Sequence, residues 1–350
     1  MIHYDILCQS PGTPEALEQL SQMPVDMKVS TLMQLAPGPE RDLGIKITLA
    51  ASEFLNSGKN VYRVGPRLHK MFQGMSLNKI TKEEMSLPYK GFYVEVRDST
   101  IPVWGGKHTL WHDLKGIYVY YIPEGVAHSK GESVGECWGV IMWGGPNDKS
   151  VDVQDDAVYQ LTIALDEAFE DGLETYIKNI TAEKAEDASG PDYIPPDQKV
   201  FKQRNKSIMS AIRIVFNTVL YVTSCNPEMR ISQDTLDREE LEKALGRAKS
   251  SKKKVKLARR LEKKSVCYIR DLAPSLESTP KEASVSTEGI AEHKVAAHWH
   301  RYWVGRNHEK YAEGVLENEK GRRLVRIFVE EYNRGTDLAG RIVSRTYVVE

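Results

Sequence analysis

Gly116-Ile117-Tyr118-Val119-Tyr120-Tyr121-Ile122, closed by Pro123, is built from β-branched and aromatic side chains, the composition of a β-strand. Two neighbouring runs read alike. Gly91-Phe-Tyr-Val-Glu-Val96 lies upstream; Cys137-Trp-Gly-Val-Ile-Met-Trp143 lies downstream and stops at Gly144-Gly145-Pro146. Together they predict a small antiparallel sheet with a turn or loop between strands. Trp104, Trp111, Trp138 and Trp143 fall in the same region, with Tyr118 and Tyr120 inside the central run.

Helical patterns flank this sheet. Residues 1–86 read mostly helical. Thr13-Pro14-Glu15 offers a hydroxyl cap, a proline in the first turn and an acid beside it. Ile45, Leu49 and Ala50 begin a second amphipathic stretch that ends at Asn56-Ser57-Gly58. Between 155 and 176, Val158, Leu161, Leu165, Phe169 and Leu173 recur every three or four residues, which predicts an acidic amphipathic helix. Residues 205–225 predict the most apolar helix, with Ile208, Ile212, Val215, Val219 and Val222 on one face. Asp234 is expected to cap a short helix that Gly246 ends. Residues 297–305, 324–332 and 341–349 read as strands.

The expected class is therefore α+β: a helical N-terminal region, a small antiparallel sheet flanked by helices, and a β-rich C-terminal module. The expected organisation has four parts. Residues 1–86 are the helical region, 87–245 the α+β core, 246–292 a basic run and flexible connector, and 293–350 a His/Trp/Arg tail module. Breaks at 185–196 and the Ser/Thr/Glu/Pro-rich stretch 272–290 have linker composition.

The chain has 350 residues, 41% of them apolar and 28% charged, the balance of an ordinary globular protein. No apolar run reaches the ~18 residues that a membrane helix needs. The start, Met-Ile-His-Tyr-Asp, lacks the basic and apolar pattern of a secretory signal. A cytoplasmic protein with no membrane partner is expected. Cys8, Cys137, Cys225 and Cys267 are far apart and form no Cys-x-x-Cys pair, which argues against a zinc ribbon or a disulfide framework.

The near-neutral total, 48 basic against 49 acidic residues, hides a strong asymmetry. Residues 151–192 hold twelve acids against two lysines, whereas residues 243–264 hold eleven bases against one glutamate. The basic run includes Lys252, Lys253, Lys254, Arg259 and Arg260. It can neutralise a nucleic-acid backbone, form a solvated basic loop, or lie on the protein's own acidic segment.

Familiar catalytic motifs are missing. Gly105-Gly106-Lys107-His108-Thr109 fails as a phosphate loop, because Ile101 stands where the first glycine belongs and His108 where the hydroxyl belongs. It reads as a turn. No Gly-x-Ser-x-Gly, His-Glu-x-x-His or dinucleotide fingerprint is present. No catalytic residue, metal or cofactor is expected.

The densest chemistry is His298-Trp299-His300-Arg301-Tyr302-Trp303. On a strand, His298, His300 and Tyr302 share one face, and Trp299, Arg301 and Trp303 the other. Three readings compete. One is a His-x-His metal pair with no third ligand to name. Another is an RNA-contacting face, served also by Arg306, Arg322, Arg323 and Arg326, on which aromatic and guanidinium planes stack bases. The third is a structural aromatic core with satisfied histidines.

The tail carries a resemblance. His293, then Ala297-His298-Trp299-His300-x-Tyr302-Trp303-x-Gly305, then a basic strand over 322–332, resembles the tail of the phage- and plasmid-borne type V-A anti-CRISPR proteins of the AcrVA second family. There the motif reads Gly-His-Trp-His-x-Tyr-Trp-x-Gly. Leu87-Pro88-Tyr89, Leu114-Lys115-Gly116, Leu220-Tyr221-Val222, Asn226-Pro227-Glu228 and Tyr268-Ile269-Arg270-Asp271-Leu272 follow the family's order, so the likeness spans about 87–334. Ala297 replaces the family's glycine, and an insertion with His308, Glu309, Glu313, Glu317 and Glu319 follows Gly305.

The resemblance implies an interaction protein that recognises the nascent N-terminal peptide of a type V-A effector nuclease and lowers its mRNA level. Peptide contacts are then expected from Trp104, Trp111, Tyr118, Tyr120, Trp138 and Trp143. The basic run and the tail (His298, Trp299, His300, Trp303, Arg306, Arg322, Arg323) are expected to face mRNA or the ribosome. Two alternatives stand beside it. One is a DNA-binding regulator of a plasmid or phage. The other is a ribonuclease with His298 or His300 as acid–base and Arg322 or Arg323 steadying phosphate.

Overall fold

A computed structural model describes residues 2–9, 12–35, 41–78, 80–104, 111–125, 128–129, 132–133, 135–145, 157–170, 172–187, 198–224, 227–274, 293–295, 297–330, 332–336 and 342–343. The expected turn at 105–109, residues 188–196 of the expected break at 185–196 and most of the connector at 272–290 lie outside these residues; residues 185–187 are helical. So does most of the expected last strand, 341–349.

The chain begins with α1 (His3–Leu7), α2 (Thr13–Ser21), α3 (Val25–Leu35) and α4 (Arg41–Asn56), then β1 (Asn60–Val64) and α5 (Pro66–Gly74). The middle holds β2 (Gly91–Val96), β3 (Pro102–Trp104), β4 (Trp111–Ile122), β5 (His128–Ser129), β6 (Glu132–Ser133), β7 (Cys137–Gly144) and β8 (Ala157–Ala164). Next come α6 (Leu165–Glu170), α7 (Leu173–Asp187), α8 (Gln198–Val222), β9 (Met229–Ile231), α9 (Gln233–Arg247), α10 (Ser251–Leu261) and β10 (Tyr268–Leu272). The tail adds β11 (His293–Val295), β12 (His298–Val304), β13 (Leu316–Glu317), β14 (Arg323–Val329), β15 (Tyr332–Thr336) and β16 (Ile342–Val343).

The α+β class holds. The three expected strands are β2, β4 and β7, and they pair antiparallel. They sit inside a wider, mixed sheet of order β8-β7-β4-β2-β1-β10-β9, with β3 paired to β4. β1 runs parallel to both β2 and β10. Parallel neighbours need a crossover, and α5 supplies it between β1 and β2. β1 is a run of five buried residues between two helices, too short to show a period in the sequence.

The expected helix over 155–176 is a strand followed by two helices. Residues 157–164 pair along their whole length with β7. Their Val, Tyr, Thr and Ile side chains favour a pleated surface, and the chain turns helical only at Leu165. The apparent three-to-four spacing ran across that junction. The expected cap Asp234 lies inside α9; Ser232 caps it, its hydroxyl accepting from the Thr235 amide at 3.3 Å.

Helices cover both faces of the sheet. Phe54 of α4 packs edge-on against Tyr118 of β4, with ring centres 5.7 Å apart. Trp138 of β7 packs on the other side against Phe216 of α8, at 4.9 Å. A strand covered on both faces reads as a continuous apolar run, which is why β4 and β7 do not alternate. Gly139 is the fitting piece between them. It lies opposite Tyr120, and a Cβ there would sit 2.2 Å from the tyrosine ring. One cluster of buried apolar side chains runs from Ile2 through the sheet to Phe328 of the tail. Lys28 and Glu53 form a buried ion pair between α3 and α4.

Candidate functional site

The basic run folds as helix. α9 and α10 pack as a hairpin around a small cluster of their own: Leu241, Ala248 and Leu257, flanked by Ala244, Leu245 and Leu261. Lys264 closes the hairpin, bonding Asp237 at 2.8 Å and lying 3.5 Å from Asp234. Its ammonium holds the Asp237 carboxyl below the usual carboxylate range.

Lys252, Lys253, Lys254, Lys256, Arg259 and Arg260 are all exposed on the outer side of α10. Among the described residues, no ion pair engages Lys252, Lys253, Lys254, Lys256 or Arg259. The first turn of α10 contains no acid, and its Ser250 cap makes no side-chain hydrogen bond. Helix starts favour negative charge, because their free N–H groups carry the positive end of the dipole. Three lysines there oppose the local rule, and such violations collect where function requires them. An anion docked on this turn would relieve the repulsion.

The tail hairpin β12–β14 presents one face to the body and one outward. On the inner face, the Trp299 indole N–H donates to the Asn217 carboxamide at 2.9 Å, and Asn217 donates to the Phe72 carbonyl at 3.1 Å. Phe328 stacks against Trp299, Phe72 and Tyr221 at 5.5–5.8 Å. Arg301 donates to Glu84 at 2.8 Å; Arg326 donates to the Glu84 carbonyl at 3.0 Å and the Thr223 hydroxyl at 3.1 Å. Trp299, expected to stack a base, is instead a docking residue. Arg326, named with the RNA face, is completely buried.

The outer face follows the expected alternation in part. His300 and Tyr302 stack at 5.3 Å, and Tyr302 meets His308 at 6.2 Å. His300 is exposed, His298 half-buried. Trp303 is 44% exposed although it belongs to the inner row. Arg306 and Arg322 are exposed near it, Arg306 lying against the turn at Gly321. Arg323 is engaged by Glu317 at 3.3 Å and by the Tyr311 ring at 4.9 Å.

Register separates the histidines from these arginines. His298 pairs with Val329 and Val304 with Arg323, so His298 and Arg323 stand at opposite ends of the hairpin. Six residues of strand are roughly 20 Å. The pairing that a His298-dependent ribonuclease needs is not assembled.

Four of the six expected peptide anchors are core residues. Tyr118, Tyr120, Trp138 and Trp143 are at most 5% exposed. Their strands lie inside the sheet, so neither their rings nor their edges are free. Trp111 is 52% exposed and pairs with Trp104 at 6.2 Å, at the far end of β3–β4. The end strands of the sheet path are β8 and β9. β9 is exposed at all three residues, with Met229 and Ile231 bared. No sequence pattern marked it: Met-Arg-Ile is too short to alternate visibly.

Among the described residues no group of His, Cys, Asp and Glu is arranged to hold a metal ion, and no helix is long and apolar enough to cross a membrane. Among the described residues, the end strand β9 leads into the hairpin whose second helix carries the unpaired cations Lys252, Lys253 and Lys254. The model of the AcrVA2-like family, described as the anti-CRISPR type V subtype A2 family, matches residues 62–327, and the chain belongs to that family. Among solved structures it is similar to the crystal structure of AcrVA2, at 11% identity over 95% of this chain and 99% of that one, with a TM-score of 0.47. No curated protein matches.

Proposed function

We propose that this anti-CRISPR family protein binds the nascent N-terminal peptide of a type V-A effector nuclease and lowers the level of its mRNA. The peptide adds to the outer edge of β9, and the RNA lies on α10. The observation that carries this reading is the unpaired row Lys252, Lys253, Lys254 in the first turn of α10.

Two further features support it. A sheet edge takes an extended peptide through main-chain hydrogen bonds, and alternate exposed side chains give it anchors; Met229 and Ile231 alternate in this way. β9 also passes through Ser232 directly into α9, and α9 turns into α10, so one continuous segment carries the edge and the basic helix, with the Lys252–Lys254 turn roughly 20 Å along α9 from β9. A single segment that carries both sites suits a protein that contacts a nascent chain and its message. Trp104 and Trp111 lie at β4, four strands from β9, or roughly 20 Å across the sheet.

The test is capture of partners from lysate of a cell carrying a type V-A system, with and without RNase. Enrichment of the effector's nascent chain with its mRNA is expected, the mRNA alone being lost after RNase. Met229→Ser/Ile231→Ser should lose the peptide, and Lys252→Gln/Lys253→Gln/Lys254→Gln the RNA. Peptide capture that survives the first variant and fails in Trp111→Ser would move the peptide to the Trp104–Trp111 end. Discrete DNA fragments with no effector peptide would replace this reading with that of a DNA-binding regulator.

A further inference from the structure

Three helices that play no part in the proposed interfaces enclose a cleft of 530 Å³. Lys70 of α5, Lys178 of α7 and Lys206 of α8 stand around it, and all three are exposed. Arg213 of α8 forms its floor. That guanidinium donates to both carboxylate oxygens of Glu174, at 2.9 and 3.1 Å, and to the Gln73 carbonyl at 3.0 Å. It thereby ties α5, α7 and α8 together. Glu174 also accepts the Leu77 amide at 3.0 Å, so the carboxylate one turn from Lys178 is fully engaged.

The balance of charge is one-sided. Among the described residues four cations stand around the cleft, and the Glu174 carboxylate is bonded to one of them. Among the described residues no acid forms an ion pair with Lys70, Lys178 or Lys206. A concave wall of like charges focuses potential and draws anions. The volume falls within the range of small-ligand sites rather than of macromolecular grooves. The wall is not wholly polar: Met209 supplies an adaptable apolar surface. Asn205 lines the cleft too, and its carboxamide oxygen has no donor among the described residues.

We propose that the cleft between α5, α7 and α8 binds a phosphate-bearing small molecule of nucleotide size. The three lysines hold the phosphates as mobile point charges. The organic part rests against Met209. Arg213 is a positioning residue that fixes the floor and does not itself reach the ligand. The site is separate from α10 and from β9, so it stands whether or not they bind RNA and peptide.

Calorimetric titration of the full chain with ATP, AMP, pyrophosphate and adenosine at low salt tests this. ATP should bind more tightly than AMP, pyrophosphate should compete with ATP, and adenosine should give no heat. Lys70→Gln/Lys178→Gln/Lys206→Gln should weaken ATP on the order of tenfold or more, since charge-assisted contacts are lost. These lysines are exposed, so the variant should keep the wild-type melting temperature. Lys252→Gln/Lys253→Gln/Lys254→Gln should leave ATP binding unchanged. Adenosine binding as well as ATP, ATP binding indifferent to the cleft variant, or ATP binding lost in the α10 variant would each overturn the proposal. So would binding of an RNA oligonucleotide at the cleft lysines with no binding of any mononucleotide.

Discussion

Replacing Glu84 by glutamine should uncouple the tail from the body. The Glu84 side chain is fully buried, and its carboxylate faces two guanidinium groups: Arg301 at 2.8 Å and Arg326 at 3.9 Å. Arg326 is equally buried, so its charge has no water to fall back on. Breaking a buried pair from one side costs about 3–5 kcal/mol, because the partner stays charged and unsolvated. Two features place this case at the low end. Arg326 keeps its hydrogen bonds to the Glu84 carbonyl and Thr223. Arg301 is 27% exposed, so its own contact adds only about 0–1 kcal/mol. The expected loss is about 3 kcal/mol.

Urea unfolding followed by tryptophan fluorescence reads that loss, because Trp299 sits in the contact. Arg326→Met and the double variant Glu84→Gln/Arg326→Met complete a cycle. The double variant should recover at least about 1 kcal/mol relative to the sum of the single changes, since the buried guanidinium is removed together with the carboxylate it faces. A Glu84→Gln variant within about 0.5 kcal/mol of wild type, or strictly additive effects, would refute the electrostatic account of docking.

Other predictions concern the core, pH and surface. Gly139→Val should destabilise by about 1–3 kcal/mol through overpacking against Tyr120, measurable by urea unfolding; an unaffected protein would show that β7 yields there. His3 is buried beside Tyr118 and Trp143, and burial lowers its pKa from 6.5 to about 4. The unfolded chain therefore takes up this proton first, so stability is full above about pH 6.5 and falls as pH drops toward about 4. Because burial raises the pKa of nearby Asp5, which acts in the opposite sense, the readout is the difference between wild type and His3→Phe across that window. A difference that does not vary with pH would contradict a neutral His3. Lys252→Gln/Lys253→Gln/Lys254→Gln should melt no lower than wild type, since it removes cations from a helix start; a clearly lower melting temperature would mean that these lysines stabilise the fold.

Much of the fold was legible where local chemistry and tertiary position agree. β2, β4 and β7 show in the sequence because central strands are apolar and aromatic throughout. β8 was misread because Val158, Leu161 and Leu165 keep helical spacing across a strand–helix junction. The stacking of His300 on Tyr302 was legible, since it needs only the period of a strand. What the sequence concealed was depth. Trp138 and Trp111 are the same residue type on neighbouring strands, yet one is core and the other bared. Position along the strands decides that: the pairing of β4 with β7 begins only at Leu114, so Trp111 lies beyond it. The basic run was visible as charge; that it forms a helix with its own small core, cations outward, followed from Leu257 and Leu261 meeting α9.

The most direct test of the account is the level of effector mRNA in cells that express this protein, compared with cells that express the Lys252→Gln/Lys253→Gln/Lys254→Gln variant. The wild type should lower the mRNA, while the variant should still capture the effector peptide and leave the mRNA high. An mRNA level that the wild type does not change, or that the variant lowers equally, would contradict it.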